Sequence, residues 1–440
     1  MRDRPLPRYL SHIMTGLLLT ANLTPAQSFQ RPPLTLAESR PTAGAAFGIA
    51  LAIGDFNNDK IADLAVSNSA ERVFIFYGRT TPRTTPDRTL SSRETGIAFG
   101  MALAAGDWNG DGRTDLAIGA PEASNSEDSF FDGRVIIYPG SSNFGTSPVT
   151  LRSPIPPDPD FLTGGLFGYA LASGDVDGNK VSDVIVSAWY LDATVILYGG
   201  RTIGSRRTIL KGNTIGEQFG FAVAAGDVNK DGFADVAIGA PFGGPTGTGA
   251  VYLFFGGKTL SGRPDLILPN PHPPSDPEDS TFASALAIAD LNGDGYADII
   301  VGAPNTSPKE LAPGRVYIFF GGTTLRNTPD LVLEDSTPAF GYSLATGDLN
   351  GDGTSDLVVS AIWATVNTRP RAGQVHIFLG GSAIGPTAHM ILDPPSPEAE
   401  GEFGSAMAIG DLNRDGKADL AISAPGVARR AGRVFLYLGR

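Results

Sequence analysis

Seven short acidic runs carry most of the chemistry this chain could do. They read DFNNDKIAD from Asp55, DWNGDGRTD from Asp107, DVDGNKVSD from Asp175, DVNKDGFAD from Asp227, DLNGDGYAD from Asp290, DLNGDGTSD from Asp348 and DLNRDGKAD from Asp411. Counted from the first Asp, side-chain oxygens recur at positions 1, 3, 5 and 9. These are Asp55, Asn57, Asp59 and Asp63; Asp107, Asn109, Asp111 and Asp115; Asp175, Asp177, Asn179 and Asp183; and Asp227, Asn229, Asp231 and Asp235. The last three runs supply Asp290, Asn292, Asp294 and Asp298; Asp348, Asn350, Asp352 and Asp356; and Asp411, Asn413, Asp415 and Asp419. Oxygens spaced in this way on one loop can wrap a hard cation, with the backbone carbonyl at position 7 as a further ligand. Ca²⁺ takes six to eight oxygens at ~2.3–2.6 Å.

The pattern of the runs favours a strand-flanked Ca²⁺ loop over two competing readings. A helix–loop–helix calcium hand shares the opening D-x-N-x-D-G but needs a Glu at position 12. Position 12 is Val66, Ile118, Val186, Ile238, Val301, Val359 and Ile422, all β-branched. Plain turns would also use Asp, Asn and Gly, yet each run would then crowd three carboxylates together at electrostatic cost. The runs hold 21 of the 46 acidic residues, and seven Ca²⁺ ions would more than cancel the net charge of −13. The acidity is therefore read as metal sites. Gly at position 6, as at Gly112, permits a sharp turn; Lys60 and Lys180 replace it in the first and third runs. With Asn179 at position 5 as well, the loops at Asp55 and Asp175 are expected to be the weakest of up to seven sites. Extracellular modules of this kind bind with Kd on the order of 10⁻⁴–10⁻³ M, so occupancy implies a calcium-rich compartment.

The elements that position these runs repeat with them. Successive runs start 52, 68, 52, 63, 58 and 63 residues apart, about one four-stranded propeller blade with its loops. Eight residues before each stands a Phe (Phe47, Phe99, Phe167, Phe219, Phe282, Phe340, Phe403), followed by Gly except at Ala283. Three residues before each stands an Ala. After each comes a DLAIGAP-like segment, then a GRVYIFFGG-like one, as at 115–121 and 314–322. Short Val/Ile/Phe/Tyr segments bounded by Gly read as strands. The expected blade has a small-residue strand innermost (101–105), then 115–119, 134–138 and 149–152. The fold class is all-β: a seven-bladed β-propeller of four-stranded antiparallel blades. The seventh repeat lacks its outer strand, because the sequence stops at Arg440. Leu34-Thr35-Leu36, ahead of the first repeat, can supply it and close the ring, leaving no open sheet edge.

The Phe-Gly, acidic-loop and Gly-Ala-Pro order resembles the FG-GAP repeat of integrin α-subunit propellers and related bacterial proteins. Full Gly-Ala-Pro stands at 119–121, 239–241 and 302–304, with Ser-Ala-Pro at 423–425. The resemblance covers residues 34–440 and implies seven blades, Ca²⁺ between first and second strands, and closure by the N-terminal strand. The sequence departs from integrins in having acidic loops in every repeat and in lacking an inserted von Willebrand-type domain, leg domains and a membrane anchor. Adhesion is thus carried over by analogy of fold alone.

Composition narrows the partner and the compartment. A charge of −13 argues against nucleic acid, which needs clustered Lys and Arg. The absence of cysteine excludes disulfides and thiolate metal sites. Arg2, Arg4 and Arg8, the apolar Leu10–Leu19 and Thr24-Pro25-Ala26 resemble an export signal over residues 1–27, with 28–440 as the propeller. No later run approaches the ~18 apolar residues of a membrane span. The expectation is a secreted monomer at the cell exterior, the cell surface or the periplasm.

The metal loops and the connections between third and outer strands share one face. The opposite face carries connections of varied length, such as 121–133, 153–166, 269–281 and 362–373, and is the candidate surface for a protein or glycan ligand. Trp189, Tyr190, Trp363, Phe130 and Phe131 lie there and either stack on a ligand or pack the loops. No residue is assigned a catalytic role. The histidines are His12, His272, His376 and His389, with no nucleophile elbow or phosphate loop. The leading reading is a Ca²⁺-binding protein-recognition or adhesion module. A lectin comes next, and a polysaccharide-cleaving enzyme last.

Overall fold

The computed structural model describes residues 29–92, 94, 96–124, 131–156, 165–305 and 313–440. The export-signal reading of residues 1–27, Phe130 and parts of three connecting loops lie outside the described residues. Among those described, the strands form seven four-stranded antiparallel sheets. In the second blade the strands are Leu103–Gly106, Asp115–Ala120, Arg134–Tyr138 and Val149–Arg152, close to the sequence expectation.

The ring closes as the sequence implies. Leu34–Leu36 pairs antiparallel with Arg433–Tyr437, in the register Leu34 with Leu436 and Leu36 with Val434. It completes the sheet that contains Met407–Gly410 and Asp419–Ala424. Each inner strand contacts the inner strands of the two neighbouring blades, and Leu51–Gly54 meets Met407–Gly410 to finish the circle.

A single blade cannot bury both of its faces, so the core lies between blades. Seven apolar clusters each unite two adjacent blades. The repeated Phe is a wedge in these seams. Phe47, Phe167, Phe219, Phe282 and Phe403 are fully buried, and Phe47 meets Phe74 edge-on at 5.4 Å between centroids. Second strands such as Asp63–Asn68 are buried throughout. Inner strands such as Leu103–Gly106 are half-buried because they line the axial channel.

The residue after the Phe packs on the preceding blade. A Cβ added at Gly48, whose φ is +102°, would stand 2.6 Å from Ser423 Cβ. Glycine is required at such a close approach. The exception, Ala283 with φ +64°, lies opposite Gly239; Gly119 and Gly302 likewise stand opposite Gly168 and Gly341, where other seams place a serine.

Candidate metal loops and the opposite face

Each acidic run leaves its inner strand and re-enters the sheet as the second strand, and its backbone N–H groups fix the carboxylates. The first Asp accepts the N–H of position 6 in all seven loops, from Lys60 to Asp55 at 2.8 Å through to Gly416 to Asp411 at 2.9 Å. The side chain at position 5 accepts the N–H of position 7, as from Arg113 to Asp111 at 3.0 Å. These bonds turn the loop around a common centre.

The turn needs two left-handed residues, and the sequence reading identified one. Position 6 is left-handed in every loop, including Lys60 and Lys180 at φ +68°. Position 4 is left-handed too: Asn58, Gly110, Gly178, Lys230, Gly293, Gly351 and Arg414. Side-chain residues in this region cost roughly 1–2 kcal/mol each. The Lys-containing loops therefore keep the shared shape at some strain.

The ninth position is the anchor. Asp63, Asp115, Asp183, Asp235, Asp298, Asp356 and Asp419 have no exposed surface. One oxygen of each accepts the N–H of position 2, as from Phe56 at 2.9 Å. The other accepts the N–H of the glycine after the third strand: Gly78, Gly140, Gly199, Gly256, Gly321, Gly380 or Gly439, at 2.7–2.9 Å. The signal for this partner was the glycine ending each GRVYIFFGG-like segment. Burial pushes the Asp63 carboxyl up to about 7 and the other six up to about 6, against the lowering effect of those N–H donors. A buried carboxylate so raised calls for a positive partner.

The residues present fit a hard divalent cation. Each carboxylate oxygen has two lone pairs, so one N–H donor leaves capacity for a metal. Asn57 Oδ1 is buried with no hydrogen-bond partner. Asp175, Asp177 and Asp183 bring ligand oxygens within 4.8 Å of one another. Asp177 takes the place of the Asn found at position 3 elsewhere, and it also accepts from Arg206 at 2.7 Å. Arg206 lies over the Tyr198 ring, 3.6 Å from its centroid. No sequence signal marked Arg206.

On the opposite face, Trp189 packs edge-on against Tyr169 and Phe221, at 5.5 and 6.0 Å between centroids, while Tyr190 stays exposed. Trp363 carries the Arg371 guanidinium at 4.7 Å, and Phe131 is exposed. The histidines are scattered. His272 Nδ1 lies 3.1 Å from the Tyr317 hydroxyl, His376 is buried in a third strand, and His389 is exposed.

A family model described as FG-GAP repeat matches residues 99–138, 219–254, 282–319, 340–378 and 403–437. A second, described as FG-GAP-like repeat, matches 36–118. Integrin alpha-PS2 of Drosophila melanogaster is 33% identical over 227 residues, covering 47% of this chain and 15% of that protein. Integrin alpha-IIb of Homo sapiens is 28% identical over 260 residues, covering 51% and 24%. Phosphatidylinositol-glycan-specific phospholipase D of Bos taurus is 33% identical over 181 residues, covering 38% and 21%. The chain thus spans less than a quarter of the length of these relatives. A crystal structure of BBS1N in complex with ARL6DN shares the fold, with TM-score 0.55, 13% identity, and 92% and 97% of the two chains covered. With the Phe wedge and acidic loop recurring in each blade, and the two models together matching more than half of the residues, the chain belongs to the FG-GAP repeat proteins and carries an integrin α-subunit-like seven-bladed propeller.

Proposed function

We propose that this chain is a secreted, Ca²⁺-stabilised propeller that acts as a protein-binding or adhesion module. The ninth-position aspartate carries the metal part of this reading, being fully buried in all seven loops. Bound Ca²⁺ would supply the positive charge that lets these carboxylates ionise. The oxygens of positions 1, 3, 5 and 9 would hold the ion, and the N–H donors of positions 2 and 6 and of the glycine after the third strand would hold the oxygens. The ions are structural staples that tie the inner, second and third strands of each blade in a protein without disulfides. Chelation then loosens blades individually and the ring as a whole.

The binding role draws on similarity to integrin α subunits and on the varied loops of the face away from the metal sites. Such loops on a rigid frame are where recognition concentrates. Among the described residues no helix is long and apolar enough to cross a membrane, and export rests on the sequence of residues 1–27. No residue is given a catalytic role, and the similarity to the phospholipase D spans 21% of that protein.

Two measurements on the purified chain test this. Metal counting by mass spectrometry should find five to seven Ca²⁺ per chain, and EGTA should lower Tm sharply; an unchanged Tm refutes the staple role. Calcium-loaded protein should adhere to protein-coated or cellular surfaces and lose that adhesion when the surface is stripped by protease. Adhesion that survives protease overturns the protein-partner assignment.

A further inference from the structure

The seven inner strands enclose a cavity of about 560 Å³ on the propeller axis, within the ~300–1,000 Å³ typical of small-ligand sites. Its wall is built from the starts of the inner strands, such as 49–51, 101–103 and 169–171. The metal loops follow the other ends of these strands, so the cavity opens on the opposite face. In a chain of net charge −13, the described residues of this wall include no Asp, Glu, Lys, Arg or His. It offers aromatic faces, Tyr169, Phe221 and Tyr342, beside neutral polar side chains including Gln218 and Ser284.

Two details distinguish this wall from ordinary core. Tyr342 is 43% exposed and Met101 39%, although both belong to the innermost layer. The Tyr169 and Phe221 rings are fixed, 5.7 Å apart between centroids, with Trp189 wedged against both. The aromatics come from the third, fourth and sixth blades alone, so the cavity is a single asymmetric site and not one of seven equivalents.

The wall selects among ligand classes. An ion would enter with no counter-charge, which is costly in a confined site. A pure hydrocarbon would leave the Gln218 amide and the wall's other neutral polar groups without partners. A pyranose has an apolar C–H face for aromatic rings and hydroxyls for Ser and Gln. We propose that the axial cavity binds one neutral sugar residue of a glycan, its apolar face against Tyr342 and Tyr169 and its hydroxyls toward Gln218.

This goes beyond the protein-binding reading and is tested apart from it. The calcium-loaded chain is titrated calorimetrically with glucose, galactose, mannose, N-acetylglucosamine and fucose, with glucuronic and sialic acids as charged controls. At least one neutral sugar should bind at one site per chain with Kd on the order of 1 mM, and Tyr342→Ala should weaken it about tenfold. Met101→Asp should also weaken it, while Tyr342→Phe should not. Both exposed positions tolerate change, and an unaltered Tm confirms folding. A blank for every neutral sugar, binding of the charged sugars alone, or binding indifferent to Tyr342→Ala and Met101→Asp each overturns the proposal. A blank sugar panel leaves adhesion to protein surfaces untouched.

Discussion

Arg206 donates to Asp177 Oδ2 at 2.7 Å and so places a fixed positive charge inside the third acidic loop. That loop gathers Asp175, Asp177 and Asp183, and Arg206 is held there by the Tyr198 ring. The guanidinium thus partly stands in for a cation. Arg206→Gln should lower stability in EGTA by about 1–2 kcal/mol, since it leaves the buried Asp177 charge unpaired. Saturating Ca²⁺ should restore most of that loss. Urea unfolding in the two conditions checks it; equal losses with and without Ca²⁺ would mean that Arg206 contributes packing alone.

Lys60 and Lys180 occupy left-handed positions that the other five loops give to glycine. Relief of that strain is worth roughly 1–2 kcal/mol, offset by about 0.5–1 kcal/mol from the looser unfolded chain that Gly brings. Lys60→Gly should therefore raise stability by up to about 1 kcal/mol, and the Lys60→Gly/Lys180→Gly pair should add, because the sites lie in separate blades. Denaturant midpoints in saturating Ca²⁺ measure this. A fall in stability for both single variants would refute the strain argument.

His376 sits where other blades place Phe74 or Phe435, edge-on to its own repeat Phe, Phe340, at 5.2 Å. Both ring nitrogens are buried without hydrogen bonds, and Asp335 Oδ2 lies 3.6 Å from Nδ1. Burial lowers the His376 pKa below its ordinary 6.5, against the raising effect of Asp335 and Asp393. A base with a depressed folded pKa is neutral in the fold and takes its proton more readily when unfolded. Its penalty is absent above about pH 6.5 and grows as pH falls below that value. His376→Phe should stabilise the protein by about 1 kcal/mol at pH 8 by removing unsatisfied nitrogens, and by more at pH 5. Tm of both proteins across this range decides the matter; an identical pH dependence would exclude His376 as the titrating group.

Gly239 on a second strand and Ala283 after its repeat Phe meet across one seam between blades. A Cβ at Gly239 would collide with the Ala283 carbonyl oxygen and press on its Cβ. Gly239→Ser, which copies Ser67 or Ser423, should cost about 1–3 kcal/mol by overpacking. Adding Ala283→Gly should recover part of it, and a double-mutant cycle reads the coupling. Strict additivity would show that the two sites do not share the seam.

Much of this protein was legible in its sequence because it is written seven times. Repetition made the loop positions, the Phe wedge and the strand order stand out. The missing outer strand of the last repeat pointed to Leu34-Thr35-Leu36. Local chemistry set these features: oxygen spacing on a short loop, β-branched residues after it, and small residues in the inner strand. The rest depends on where distant segments meet. Arg206 reaches Asp177 across 29 residues, and the glycines after the third strands reach the ninth-position aspartates only because the blade folds back on itself. Gly239 and Ala283 meet only across a seam between two blades. The axial cavity belongs to no single repeat. Its wall is assembled from all seven inner strands, and its aromatics occur in three blades, so nothing periodic in the sequence could mark it. The sequence by itself determined the blade; the closed ring decided what faces the axis.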